Sequence, residues 1–244
     1  MMRIGITGSD GFIGTAFRRY LTALGEPCVC CPRSAFERPE IMSAFLADCD
    51  AVVHFAGMSR HPDGTLRYET NLRLTEALSA GLREKRSAVH VYLASTTHEQ
   101  RDLPYHRSKR RSRQLLENWA ADSGNACTTL MMPNTFGPWA RPFFNSAVST
   151  FCYLAAHDRT PEQIDPAELK LIHVRTLCRE IRQIVRNDPP GVSAAEIPHE
   201  HEIRLDLLWR TLTSWQAQLK ESGIPLPRNA FETDLLETFL SYRS

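Results

Sequence analysis

The sequence predicts an α/β chain in which a doubly wound parallel sheet is followed by a small, mostly helical cap. Three observations predict it. Short apolar runs alternate with amphipathic, helix-length stretches through the first half, the pattern of parallel strands joined by crossover helices. A glycine-rich turn, T-G-S-D-G-F-I-G at residues 7–14, joins the first run to the first helix. After Pro133 the alternation stops, and a loop rich in Pro, Asn, Gly and aromatic residues leads into further helical stretches.

In order, strands are expected at residues 3–7, 27–32, 51–56, 89–95 and near 127–132, each a short apolar run. Helices fit residues 12–23, 40–47, 65–84 and 105–121. The stretch between the second and third strands has room for only one helix. Residues 133–145 read as a loop, 146–157 as a helix, 169–173 as a short strand and 175–186 as a helix. A polar Pro/Gly linker at 187–198 then leads to two closing helices near 205–221 and 231–242. The boundary falls at 132/133, with a sheet domain at 1–132 and a cap at 133–244 packed intimately over the carboxyl ends of the strands.

Bulk properties bound the function. With 244 residues and 42% hydrophobic residues, the chain can build one large α/β domain with a real core. A formal net charge of +1 gives no global positive field, which argues against nucleic acid as a partner. There is no run of apolar residues long enough to span a bilayer and no signal-like N-terminus, so a cytoplasmic protein without membrane insertion is expected. The seven cysteines are odd in number, and Cys28, Cys30 and Cys31 fall in one strand whose neighbouring side chains point to opposite faces. No second ligand pair completes a zinc site, and His199 and His201 lie in a polar segment with nothing beside them. Reduced core thiols, surface histidines and no metal are expected. The basic run H-R-S-K-R-R-S-R at 106–113 lacks interleaved aromatics and reads as a solvated helix face.

The glycine turn carries the first chemical signal. Gly8 permits a tight turn, Gly11 lets backbone approach phosphates, and Gly14 lets helix and strand pack closely. The helix N-terminus and its dipole then favour a dinucleotide pyrophosphate. A preference for NAD(H) usually shows as an acid about 20 residues past the glycines. Here the second strand ends at Arg33 with no acid beside it, which favours NADP(H) over NAD(H) through pairing with a 2′-phosphate. The short segment after this strand abbreviates the adenine side.

The second signal lies further on. The third strand ends H-F-A-G at 54–57 and the fourth ends A-S-T-T at 94–97, followed by Tyr105-x-x-x-Lys109. At i and i+4 on a helix the phenol and ammonium share a face. Free tyrosine titrates near pH ~10, and a neighbouring ammonium is expected to draw it lower for acid–base work. A hydroxyl from Ser95 or Thr96 would bond the same substrate oxygen. These groups are what carbonyl reduction needs: a proton donor, a tuning charge and an orienting group.

With T-G-S-D-G-F-I-G, D-A-V-V-H-F-A-G, Asn71, S-T, Y-H-R-S-K and P-N-T-F-G-P in this order, the chain resembles the extended short-chain dehydrogenase/reductases of the NAD-dependent epimerase/dehydratase group, which act on nucleotide sugars. The resemblance implies a Rossmann-type fold whose cap binds substrate. It implies a cofactor cradle of Gly8, Asp10, Gly11, Phe12, Ile13, Gly14, Arg33, Phe55, Ala56, Gly57, Ala94, Tyr105, Lys109 and Pro133. By the same resemblance Tyr105 is the general acid, Lys109 its tuner and ribose anchor, and Thr96 the hydroxyl partner, with Ser95 and Thr97 as substitutes. Ser95 and Asn134 would face substrate, Asn71 would hold the active-site helix, and a homodimer would form through the helices at 65–84 and 105–121.

A narrower resemblance rests on F-G-P-W-A-R-P-F-F-N-S-A-V-S-T-F-C-Y at 136–153 and F-E-T-D-L-L-E-T-F-L-S-Y at 231–242. These segments are similar to the capsular-polysaccharide reductases that form UDP-N-acetyl-6-deoxy-L-talosamine from a 4-keto sugar nucleotide. The resemblance implies NADPH-dependent reduction of a 4-keto-6-deoxy UDP-HexNAc for surface polysaccharide. In those enzymes a cupin epimerase follows; this sequence stops at Ser244, so a separate cupin partner, reduction alone, or a different substrate is expected. L-I-H-V-R-T at 171–176 departs from the family's Y-V-D-D-like segment, with Arg175 and Thr176 replacing the acids, and Met131 replaces a frequent arginine. A UDP-sugar needs cationic or amide donors, and Arg60, Arg141 and Asn145 are candidates, the alternative being surface or loop-fixing roles. Trp139 is read either as a ring-stacking residue or as a packing anchor. A dehydratase would carry Asp-Glu just after Thr96, where Thr97-His98 stand and Glu99 is one position late. An epimerase, or a silent NADP(H)-binding regulator, is the remaining alternative.

Overall fold

The computed structural model describes residues 2–85, 88–221 and 223–243. Contacts divide the chain into two compact units, residues 1–132 with 178–197, and residues 133–177 with 198–244.

The first unit is built on a parallel six-stranded sheet. Its strands are β1 (Ile4–Thr7), β2 (Cys28–Cys30), β3 (Ala51–His54), β4 (His90–Thr96), β5 (Ala126–Met132) and β8 (Val192–Glu196), in the order β2-β1-β3-β4-β5-β8. β1 and β3 are buried along their whole length, which is why they read as continuous rather than alternating apolar runs. The crossovers are α1 (Phe12–Ala23), α2 (Pro39–Ala47), α3 (Gly64–Glu84) and α4 (Pro104–Ser123). Each has a local reason to start or stop. The Asp63 carboxylate accepts the N–H groups of Thr65 and Leu66 at the head of α3. Pro104 opens α4, where a missing N–H costs nothing, and Gly124 closes it at φ 67°. Met42, Phe45 and Leu46 of α2, Leu78 and Leu82 of α3, Val91 and Leu93 of β4, and Leu116 and Trp119 of α4 form one core.

The strand order reverses direction at β1, with β2 on one side and β3 on the other. The carboxyl ends of β1 and β3 therefore flank the switch point, the place where open α/β sheets bind ligands.

Two expectations are corrected here. Residues 187–198 are not a linker: β8 pairs in parallel with β5 from Val192 to Glu196, so residues 178–197 belong with the sheet and not with the cap. β8 is an edge strand of small and polar residues with alternating exposure, so it presents no apolar run to read. The second unit is mostly helical as expected, but residues 133–145 are not all loop. It holds a three-stranded sheet of β6 (Asn134–Phe136), β7 (Glu168–His173) and β9 (His201–Arg204), in the order β6-β7-β9 with β9 antiparallel. β6 arises inside the expected loop, and β9 inside the polar segment that contains H-x-H. Its helices are α5 (Ala147–Ala156), α7 (Leu205–Lys220) and α8 (Ala230–Leu240), packed around Phe136, Phe151, Leu208, Leu212, Leu235 and Phe239. α6 (Val174–Asn187) begins in the second unit and ends in the first. Among the described residues no helix is long and apolar enough to cross a membrane, and all seven cysteines are free thiols.

Candidate active site

The glycine turn closes on itself and on β3. Gly8 sits at φ +66°, and a Cβ there would stand 2.6 Å from the Ala56 nitrogen. A Cβ on Gly14 would stand 2.2 Å from the Gly8 carbonyl oxygen, so helix and turn touch at bare backbone. Gly11 caps α1 with no side-chain bond, and the first turn of α1 carries no acid. Its first N–H groups are thus left to an anion, which fits a dinucleotide pyrophosphate. Arg33 follows β2 at the head of a short 3-10 turn, exposed, and pairs at 3.6 Å with Asp10 of the glycine turn.

The end of β3 is tied to the end of β1. Phe55 N–H donates to the Thr7 carbonyl at 3.2 Å, and Ala56 N–H donates to Thr7 Oγ1 at 3.2 Å. The same hydroxyl lies 2.8 Å from His54 Nδ1. Burial, helped by the charge of Lys109, drives the His54 pKa down to about 3, so its imidazole is neutral at physiological pH. Gly57 follows, close to Asn71 and Lys109: a Cβ there would lie 3.3 Å from Asn71 Oδ1 and 3.7 Å from Lys109 Nζ.

Asn71 joins this loop to α4. Its Oδ1 accepts Met58 N–H at 2.6 Å, and its Nδ2 donates to the Met58 carbonyl at 3.2 Å and to Ser108 Oγ at 3.0 Å. Ser108 Oγ in turn donates to the Tyr105 carbonyl at 2.7 Å. One turn along, Thr75 and Ser112 share a 2.8 Å hydroxyl pair. Asn71→Ala would strand these buried groups, and we expect a loss of about 2 kcal/mol in urea unfolding.

Tyr105 and Lys109 lie on the first turns of α4. Lys109 is buried; its Nζ donates to the Ala94 carbonyl at 2.8 Å and stands 5.8 Å from the Tyr105 ring centroid. Burial brings the ammonium down to about 8, with Glu99 acting the other way. For Tyr105, burial pushes the phenol up to about 12, and the charge opposing that rise is Arg67. The expectation that Lys109 draws the phenol down is therefore corrected: the ammonium is directed at a strand-end carbonyl, and desolvation dominates at the ring. The phenol remains a proton donor at neutral pH.

Thr96 closes β4 half-buried, and its Oγ1 accepts His98 N–H at 3.2 Å. Ser95 does not share that position. It is 2% exposed and donates to Glu99 Oε1 at 2.6 Å, so its hydroxyl is turned inward, against the expectation that it faces substrate. Period-2 alternation explains this, because adjacent strand residues point to opposite faces. In the sequence Glu99 is only an acid one position late for a dehydratase. It is 1% exposed, pairs with Arg113 at 3.0 Å, and its carbonyl accepts from Arg110. The four-residue spacing from Ser95 was the one available clue.

The remaining candidates are divided between the two units. Arg60 is exposed on the loop after β3 in the first unit. Pro133, Asn134, Arg141 and Asn145 belong to the second unit, where Pro133 is buried and the other three are exposed. The Arg141 guanidinium lies 5.3 Å from the Phe144 ring. Trp139, at φ 62°, is 72% exposed, which does not suit a packing anchor. In the departed segment 171–176, Arg175 pairs with Asp234 at 3.7 Å and with Glu237, both on α8. Those acids with His173 form the one group among the described residues spaced to hold a metal ion, and Arg175 is paired with both of them.

A parallel sheet carrying a glycine cradle at its switch point, with a Tyr–Lys helix beside it, defines a dinucleotide-binding protein of the doubly wound class. The family model for the NAD dependent epimerase/dehydratase family matches residues 4–187, and the chain belongs to that family. A curated relative, UDP-2-acetamido-2,6-beta-L-arabino-hexul-4-ose reductase of Pseudomonas aeruginosa, is 25% identical over 99% of this chain, which spans 65% of the relative's length. The capsular polysaccharide assembling protein CapF of Staphylococcus aureus is 27% identical with a TM-score of 0.78, over 100% of this chain and 65% of CapF. RMD from Pseudomonas aeruginosa, solved with NADPH, shares the fold at 16% identity and a TM-score of 0.83, over 100% of this chain and 99% of RMD.

Proposed function

We propose that the protein is an NADPH-dependent reductase of a 4-keto-6-deoxy nucleotide sugar of the UDP-HexNAc type, serving surface polysaccharide synthesis. The observation that carries this reading is Tyr105: a half-buried residue whose phenol is held in its proton-bearing form, one helical turn from the buried Lys109 ammonium that bonds Ala94 near the end of the strand bearing Thr96. The relatives named above as a hexulose reductase and a capsular polysaccharide protein support the substrate class.

In this reading the amides of the 8–14 turn hold the pyrophosphate, Lys109 anchors the nicotinamide ribose, and Arg33 turns from Asp10 to a 2′-phosphate. The nicotinamide, when bound, supplies hydride. Thr96 orients the ketone oxygen by a hydrogen bond, and Tyr105 Oη delivers its proton to that oxygen as the carbonyl carbon is reduced. Atoms balance: one hydride and one proton convert the ketone to an alcohol. A dehydratase is disfavoured because the acid nearest Thr96 is Glu99, and its carboxylate is committed to Ser95 and Arg113.

The test is loss of nicotinamide absorbance when pure protein meets NADPH and UDP-4-keto-6-deoxy-HexNAc sugars. Turnover of one sugar is expected; silence across the set would overturn the reductase. Arg33→Ala should raise the KM for NADPH roughly tenfold and leave that for NADH unchanged, because only the 2′-phosphate loses a charge-assisted bond. Since the Arg33–Asp10 pair is exposed, releasing it costs little.

A further inference from the structure

We propose that Glu99 is a positioning residue of the same site, supplying a buried negative charge beside the strand end that Lys109 bonds while fixing that end, which carries Thr96. This rests on the reductase reading for its catalytic meaning, but its geometry stands alone. Lys109 gives its bond to a neutral carbonyl, that of Ala94. An ammonium so deeply buried needs an opposing charge nearby. The residue after Ala94 is Ser95, and its hydroxyl is held by Glu99 Oε1 at 2.6 Å. Glu99 Oε2 lies 3.0 Å from Arg113, which is one helical turn beyond Lys109 on the same side of α4. One buried carboxylate therefore pairs with the cation on the turn after Lys109 and holds the residue next to the Lys109 acceptor, at the carboxyl end of the strand that closes with Thr96.

The surrounding charges are few. From β3, His54 lies within the field of Lys109 and is a neutral ring. From α4, Arg110 bonds the Glu99 carbonyl, and Glu117 lies within the field of both Arg113 and Glu99. Arg67 of α3 acts on Tyr105. Glu99 is the acid that acts on Lys109.

The sign follows directly. Lys109 acts as an ammonium, so function is present below its pKa and lost as pH rises through it. Glu99→Gln keeps the size and the acceptor for Ser95 but removes the charge, so Lys109 loses its proton at lower pH. Arg113→Gln frees the carboxylate from its paired cation and shifts Lys109 the opposite way.

Carbon-13 labelling of the lysine ε-carbons reads this without any substrate, because Lys85, Lys109, Lys170 and Lys220 are the lysines of this sequence. Nuclear magnetic resonance titration of the full chain should show the Lys109 midpoint falling by about one pH unit in Glu99→Gln and rising in Arg113→Gln. Lys85, Lys170 and Lys220 should stay put. The alkaline limb of NADPH oxidation should move with it in both variants. An unmoved Lys109 midpoint in folded Glu99→Gln, or shifts of the same sign in both variants, would overturn the proposal. Opposed shifts in a protein that reduces no sugar would leave Glu99 as the partner of Lys109 and overturn only the reductase reading.

Discussion

Tyr105→Phe is expected to lower kcat for the 4-keto sugar by about a thousandfold, close to 4 kcal/mol of transition-state stabilisation. Only the phenolic hydroxyl is removed; the ring keeps its place among the first turns of α4, and the Ser108 bond runs to the Tyr105 backbone and is retained. NADPH binding and thermal stability should therefore hardly change. Stopped-flow absorbance with saturating NADPH separates the two effects, since a fall in kcat with unchanged cofactor affinity marks a lost proton donor. If Tyr105→Phe reduced the sugar at the native rate, the proton would have another source and the mechanism proposed above would fail.

The second large effect is expected at Gly14. A methyl group there would press into the Gly8 carbonyl oxygen from 2.2 Å, and that oxygen also accepts Gly11 N–H at 3.0 Å. Backbone has no rotamer by which to move aside, so the first turn of α1 must tilt off the strand end. Overpacking of this kind costs about 1–3 kcal/mol. For Gly14→Ala we expect a Tm lower by roughly 3–10 °C and dinucleotide binding weaker by roughly 10–100-fold. Scanning calorimetry and cofactor titration measure these. Gly25→Ala serves as the control, since a Cβ there meets nothing within 4 Å and only its φ of +68° is strained.

Much of the first unit was legible because its signals are local. Ile4–Thr7 and Ala51–His54 are short apolar runs, and the helix at 12–23 coincides with α1. That Tyr105 and Lys109 share a face follows from spacing, because i and i+4 meet on any helix, and the glycine turn and the S-T strand end before them gave the pair its meaning. What could not be read depends on partners distant in sequence. β8 is a strand because Cys127–Met131 offers an open edge to Val192–Glu196, not because V-S-A-A-E carries a strong propensity. Glu99 is part of the site because tertiary folding brings Arg113 to its carboxylate. The Tyr105 phenol was misjudged for a related reason: a charge four residues away is visible in sequence, whereas desolvation is not.

The sixth strand also bears on how the chain can fold as it is made. Thr128 and Ser193, whose hydroxyls meet at 2.9 Å across β5 and β8, are separated by 65 positions in the chain. Through that interval a ribosome is producing the first part of the second unit, residues 133–177, while the outer side of β5 waits with its N–H and C=O groups unclaimed. The nucleotide-binding half is thus synthesised early and completed late. During synthesis its most exposed liability is the bare margin of β5, a template for pairing with the wrong neighbour until residues 192–196 emerge.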